Sequence, residues 1–438
     1  MNKPLFYISC PFDTYSGYGA RARDIVKAII ELDKYEVKLL SQKWGDTSWG
    51  FCEDHESWKF LHDYSVPNVP QGVQPDIWMQ ITIPNEFQPY GKFNIGCTAG
   101  IESTGCQGDW VAGLNRMDMN FVSSKHSRNT FQNLEFDTID ERTKKPTGKK
   151  LKSEKPIHVI FEGADLDTYK FIPSSENNLD LNEIKESFCF LFVGMWMQGD
   201  LGHDRKNVGF MIKTFFETFK NKKIKPALVL KTSTGLENYM SRNEILDRIK
   251  RIRSQVKGDL PNVYLIQGEF SNSDMNELYN HPKIKAMISF TKGEGFGRPL
   301  LEFCLSKKPV IASGWSGQLD FLNPNFTSLL PGKLEKVHPS AANKWLLKDY
   351  LWFSADERRA SKTLRDVYQK YKKFVVPAKQ QGHYVKTNFS FDKMKELVDN
   401  VLDANLPKFA EQVSLKLPKL KKSKPELPKL QLPKLKKV

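Results

Sequence analysis

The chain is 438 residues long, more than one hydrophobic core ordinarily serves, so two or more domains are expected. No apolar run is long enough to span a bilayer and the opening residues lack a signal-peptide pattern, while six scattered cysteines with no paired spacing make a reducing cytoplasm the expected location. The net charge of +15 is concentrated in segments 141–155 and 406–438, so the remaining body is close to neutral and globular.

Residues 5–10 are an apolar strand, followed by a loop ending Ser16-Gly17-Tyr18-Gly19. Residues 20–32 repeat apolar side chains at helical spacing through Ile25, Ala28, Ile29 and Leu32, and residues 35–40 are again a strand. This is a βαβ start with glycines in its first turn, although the third glycine of a dinucleotide fingerprint is absent. Residues 76–83, 93–98 and 119–123 are further parallel strands, with Gly100-Ile101-Glu102 between the last two. Ser123-Ser124-Lys125 opens a serine-capped helix to about residue 134, and residues 155–161 form the next strand. Loops that follow strands (Gly17 to Gly19, Pro84, Gly100 to Glu102, Ser123, Gly163) should gather at one sheet edge and face a cleft. Segment 141–155 carries Arg142 and six lysines against two glutamates. It joins a helix to a strand, so it should lie at the opposite edge, as a solvated, disordered insertion. Together, residues 1–172 are expected to form the first domain.

A polar linker at 173–178 precedes a second β-rich start at residues 188–194. Residues 197–206 are expected as a loop, 207–219 as a helix, 227–231 as a strand, 241–255 as a helix and 263–267 as a strand. Gly268-Glu269-Phe270 follows it. A short helix at 275–279 leads to the strand at 285–290. The alternation predicts a second doubly wound domain over 173–390. Residues 344–371 are expected to be helical, and 391–405 an amphipathic helix returning to the first domain. Segment 406–438 has ten lysines, Glu411 and Glu426, and Leu-Pro-Lys at 406, 417, 427 and 432. Proline at that density forbids a regular helix, so a disordered basic tail is expected, with a polyanion such as nucleic acid or an anionic membrane surface as its partner, or else a solubilising role.

The six cysteines at 10, 52, 97, 106, 189 and 304 form no Cys-x-x-Cys pair, so neither a zinc site nor a disulfide framework is indicated. The chemistry concentrates instead at Gly293-Glu294-Gly295-Phe296-Gly297-Arg298-Pro299-Leu300-Leu301-Glu302, between the strand at 285–290 and another at 309–312. Pro299 suits a helix start. Glycines allow close backbone approach, and the two carboxylates accept hydroxyl donors. Hydroxyls plus phosphate describe a nucleotide sugar. The spacing alone also fits an ordinary strand–turn–helix with solvent-facing glutamates.

This Glu-Gly-Phe-Gly-x-Pro-Leu-Leu-Glu run, with Pro309 to Ser313 and Gly314 to Gly317 after it, resembles the paired-glutamate signature of retaining glycosyltransferases of the GT-B fold, family 4 in particular. The resemblance extends over roughly residues 5–402 and includes the glycine loop at Gly17 and Gly19, the Gly163-Ala164-Asp165 turn (with Glu162 replacing the usual Asn) and Arg205-Lys206-Asn207. It implies an α/β GT-B architecture of two Rossmann-like domains facing a central cleft. It implies sugar transfer with retention from a nucleoside diphosphate to an acceptor hydroxyl, with no metal or other cofactor. In that picture Lys206, with Arg205, neutralises the departing diphosphate. Glu294 holds sugar hydroxyls, Glu302 holds ribose, and the backbone at Gly295, Phe296 and Gly297 assists. Gly17 and Gly19 approach the donor, Gly268 and Phe270 flank the base, and Glu102 is the candidate in the acceptor half. Met195 stands where the family usually has an arginine. A non-catalytic nucleotide-sugar or nucleic-acid binding module on the same fold is the alternative.

Overall fold

The computed structural model describes residues 3–140 and 142–409. In chain order the first domain comprises β1 (Leu5–Cys10), α1 (Gly17–Glu31), β2 (Glu36–Ser41), α2 (Phe51–Asp54), β3 (Ile77–Ile81), β4 (Phe93–Cys97), α3 (Gly108–Arg116), β5 (Met119–Val122), α4 (Lys125–Asn133), β6 (Glu135–Ile139), β7 (Pro146–Lys152) and β8 (Ile157–Val159). Its six-stranded parallel sheet has the order β2-β1-β3-β4-β5-β8. The apolar run of β3 is buried throughout, as expected of a strand covered on both faces. Ser16 caps α1 by accepting from the Gly19 amide, and Ala22, Ile25, Val26 and Ile29 bury its inner face.

The second domain repeats the plan. It comprises β9 (Cys189–Val193), α5 (Val208–Phe219), β10 (Ala227–Lys231), α6 (Tyr239–Ser254), β11 (Val263–Ile266), α7 (Asn272–Asn280), β12 (Ile284–Ser289), α8 (Arg298–Cys304), β13 (Val310–Ser313), β14 (Ser328–Leu330), β15 (Gly332–Lys336), β16 (Leu351–Ala355), α9 (Glu357–Gln369) and α10 (Tyr371–Asn388). The sheet order is β11-β10-β9-β12-β13-β14, all parallel. Strand order reverses direction between β9 and β12 here, and between β1 and β3 in the first sheet. A doubly wound sheet leaves a ligand crevice at such a switch point, beyond the carboxyl ends of the strands.

The chain then returns. Helix α11 (Phe391–Asn405) presents Met394, Val398 and Leu402 at helical spacing, all fully buried in the first-domain core beside α1. Each is worth ~1.5–3 kcal/mol of burial. Lys34 ties its far side through Asp399 at 2.5 Å and Asp403 at 2.8 Å. Two close backbone bonds join the domains at this crossing: the Ala164 amide donates to Phe389, and the Phe391 amide to Ala164, both at 2.8 Å.

Four expectations change. Of the segment expected to be disordered, residues 142–155 are ordered: β7 pairs antiparallel with β6, and the hairpin rests on α3, where Asn115 donates to the Lys152 carbonyl at 2.8 Å. Cross-strand pairing satisfies the backbone there while the lysines remain exposed. Residues 344–371 are not one helix; 351–355 form β16 against β15, a non-local partner that a helical reading of Leu351-Trp352-Phe353 cannot see. Helix α10 was not anticipated, because Pro377 interrupts its pattern. Leu406 and Phe409, assigned to the tail, pack on the first-domain core. The rest of that tail, 410–438, lies outside the described residues.

Candidate active site

The loops leaving β9 and β12 flank the switch point of the second sheet. The first loop brings Arg205 and Lys206, immediately before Asn207, whose left-handed φ of 56° turns the chain into α5. The second is 290–297. Lys206 Nζ reaches Glu294 Oε1 at 2.6 Å. Arg205 Nη1 lies 3.7 Å from Glu294 Oε2 and 3.5 Å from Glu102 Oε1 of the first domain. Backbone contacts fix this cluster: the Lys292 amide donates to the Arg205 carbonyl at 2.8 Å and the Glu294 amide to Ser316 Oγ at 2.9 Å. Burial would push the Glu294 carboxyl up, but Lys206 and Arg205 outweigh it and hold Glu294 below the usual carboxylate range. Glu294 is therefore ionised at neutral pH.

Glu302 is one turn further on, in α8. Its Oε1 accepts from Arg298 Nε at 2.9 Å and its Oε2 from the Tyr279 hydroxyl at 3.3 Å. Arg298 also pairs through Nη1 with Asp24 on α1, so one guanidinium joins the two domains. Burial raises Glu302 despite Arg298, and it raises Glu162, which is buried close to Arg21 and Arg298. Arg298 was not among the predicted site residues. Its signal was present, an arginine four residues before Glu302 on a helix, the spacing of a facing ion pair.

The glycines of the turn also meet a constraint from the other domain. A Cβ on Gly293 would sit 1.8 Å from the Glu102 carbonyl oxygen, and one on Gly295 would sit 2.2 Å from that of Ala99. Both residues let the first domain's 99–102 loop lie directly on the 293–295 loop. Only Gly297, at φ 103°, answers a left-handed backbone, at the start of α8. The Phe296 side chain is core, packed on Phe321 with ring centroids 4.9 Å apart, so only its backbone can face the cleft. Further contacts close the interface: Ser123 Oγ donates to the Gly295 carbonyl at 3.0 Å, the Lys125 amide to Asp320 at 2.8 Å, and the Thr104 amide to the Leu351 carbonyl at 2.8 Å. His126 meets Trp315 edge-on at 4.6 Å, and burial lowers its imidazole to about 4.

The remaining predicted residues divide. Gly268 and Phe270 line a separate groove of about 560 Å³ with Asn238, Tyr239 and Arg242 at the same sheet edge. Lys231 steadies it by donating to the Gly268 carbonyl at 2.7 Å and lying 5.2 Å from the Phe270 ring centroid. Gly19 is needed for close approach, since a Cβ there would lie 2.3 Å from the Thr14 carbonyl oxygen, whereas a Cβ on Gly17 would meet open space. Pro84 lies against Gly113 of α3, where a Cβ would sit 1.8 Å from the Pro84 carbonyl oxygen. Among the described residues no three His, Cys, Asp or Glu side chains gather as a metal site.

No protein-family model matches the sequence, and no curated protein matches it. Solved structures do match in fold. A glycosyltransferase from Rickettsia africae superposes with a TM-score of 0.60 at 12% identity, over 93% of this chain and all of that one. Anabaena HepE in complex with UDP and glucose gives 0.59 at 13% identity, over 92% of this chain and all of that one. Sucrose-phosphate synthase from Thermosynechococcus elongatus gives 0.58 at 12% identity, over 92% and 99% respectively. The fold is GT-B: two parallel-sheet α/β domains across a cleft.

Proposed function

We propose that this chain is a retaining glycosyltransferase of the family-4 type that uses a nucleoside-diphosphate sugar. The observation that carries this reading is the buried Lys206–Glu294 pair, with Arg205 beside it, at the switch point of the second sheet. That the fold neighbour HepE is described in complexes with UDP, with UDP and glucose, and with UDP-glucose supports the choice of donor class.

In this mechanism the diphosphate enters between the two loops and takes Lys206 and Arg205 from their carboxylates. Negative charge grows on the leaving phosphate as the glycosidic bond breaks, and the two cations stabilise that growth without a metal. Glu294, released from Lys206, accepts from the sugar hydroxyls, and Glu302 accepts from the ribose. The leaving phosphate oxygen takes the proton of the attacking hydroxyl on the same face, which yields retention. Glu102 stands on the acceptor side, where it pairs with Arg205 in the free enzyme.

A non-catalytic nucleotide-sugar binding module is the second reading, favoured by Met195 at the usual arginine position. Mass spectrometry of products separates the two, after nucleotide sugars are offered with glycan, lipid, protein and DNA acceptors. Transfer, or slow donor hydrolysis, establishes the enzyme. Donor binding with neither product establishes the module.

A further inference from the structure

Behind the cleft, the connection between the domains borders a second cavity of about 810 Å³. Its walls come from residues 166–171, the end of α8 and one side of α10. Lys170, Lys307, Lys308, Lys379, His383 and Lys386 line it, and no aspartate or glutamate does. Among the described residues none of the five lysines is in an ion pair, whereas Arg205, Lys206 and Arg298 in the cleft all are. Lys379, His383 and Lys386 sit at i, i+4 and i+7 on α10, a helix with no acidic residue from Tyr371 to Asn388. Lys379 and Lys386 therefore point from one side of α10 with no acidic neighbour on that helix to neutralise them.

Two more observations shape the ligand. Phe171 is half exposed and offers a ring face, with Lys307 Nζ 5.0 Å from its centroid. Lys308 is fixed at the inner end by donating to the carbonyls of Tyr279 and His281, each at 2.8 Å, and burial beside Lys285 lowers its ammonium to about 7. A concave site of this volume suits a small molecule rather than a nucleic-acid backbone, which needs an extended basic stripe.

We propose that this groove is a second ligand site, separate from the cleft, for a small metabolite carrying two or more phosphate charges. Lys379 and Lys386 would contact the phosphates from α10, with Lys170 and Lys307 facing them across the groove. The groove borders residues 166–171 on one side and α10 on the other, close to the Ala164–Phe389 crossing, so an occupant would bridge the segments that connect the domains.

Calorimetric titration of the full chain with inorganic pyrophosphate tests this directly. Wild type is expected to show two classes of site. The double variant Lys379→Gln/Lys386→Gln should lose one class, with affinity at least tenfold weaker, and Lys206→Ala should keep that class. Both α10 lysines are exposed, so folding is expected to be retained, and matching thermal melts verify it. The charge-conserving Lys379→Arg/Lys386→Arg should bind as wild type does. The proposal is overturned if the glutamine variant titrates like wild type or if Lys206→Ala abolishes all pyrophosphate binding. It is also overturned if single-stranded DNA, but not pyrophosphate, binds in a manner sensitive to the α10 substitutions, which marks a nucleic-acid surface. None of these outcomes depends on whether the cleft transfers a sugar.

Discussion

The cleft and the rear groove both gather cations, and they treat them in opposite ways. In the cleft Arg205, Lys206 and Arg298 are largely withdrawn from water, and each is matched to a carboxylate: Glu102, Glu294, Glu302 or Asp24. In the groove the lysines are mostly exposed and face no carboxylate. Burying a charge is costly unless it is paired, so the cleft carries its own counterions, whereas water can solvate the groove's lysines. A ligand enters the cleft by exchange and the groove by addition.

The contrast is broken most severely at Arg298. Arg298→Met removes the cation but leaves Asp24 and Glu302 buried, and losing one partner of such a pair costs about 3–5 kcal/mol. Chemical denaturation should show that loss; a change below about 1 kcal/mol would mean that the carboxylates find water or other partners. On the proposed mechanism Lys206→Ala should chiefly lower kcat, by about 10²–10³-fold, because the charge it would stabilise grows during the reaction. If only KM moves, Lys206 binds the ground state and Arg205 is the better candidate for the leaving group.

If Glu302 holds the ribose as proposed, Glu302→Gln should weaken donor binding by about 1.5–3 kcal/mol with kcat nearly level, since such a contact persists from ground to transition state. Calorimetry showing unchanged donor affinity would leave Glu302 as Arg298's structural partner alone. The smallest effect expected is on pH. Burial holds His126 near 4 rather than 6.5, so the unfolded chain binds the extra proton first as pH falls. Stability should decline from pH 6.5 toward 4, and His126→Gln should remove on the order of 1 kcal/mol of that decline, allowing for partial exposure. Parallel melts across that range report it, and superimposable wild-type and variant curves would show that His126 contributes nothing.

Both sheets and the returning helix were readable from the chain because their signals are local. Apolar strands such as Ile77–Ile81, the serine cap at Ser124, and the spacing of Met394, Val398 and Leu402 each lie within a few residues. The convergence of Arg205, Lys206 and Glu294 followed from motif order and sheet topology. What stayed hidden depended on partners distant in sequence. Strand β16 needs β15, and Arg298 gains its meaning from Asp24, 274 residues away. The interdomain contacts that require Gly293 and Gly295 stayed hidden for the same reason, because the atoms on the other side belong to Glu102 and Ala99.

For protein engineering, those two glycines act as a gauge of domain separation. An alanine at 293 or 295 acts as a wedge one carbon thick, held where two backbones already touch. Substitutions there alter how far the halves can close without touching the side chains of Arg205, Lys206 or Glu294. On the proposed function, a mutational scan of the signature is expected to contain two kinds of inactive variant: at 294 they report chemistry, and at 293 and 295 they report reach. Supplying a larger or looser acceptor is a way to tell them apart, since a wedged cleft can still accommodate it and a missing carboxylate cannot be replaced.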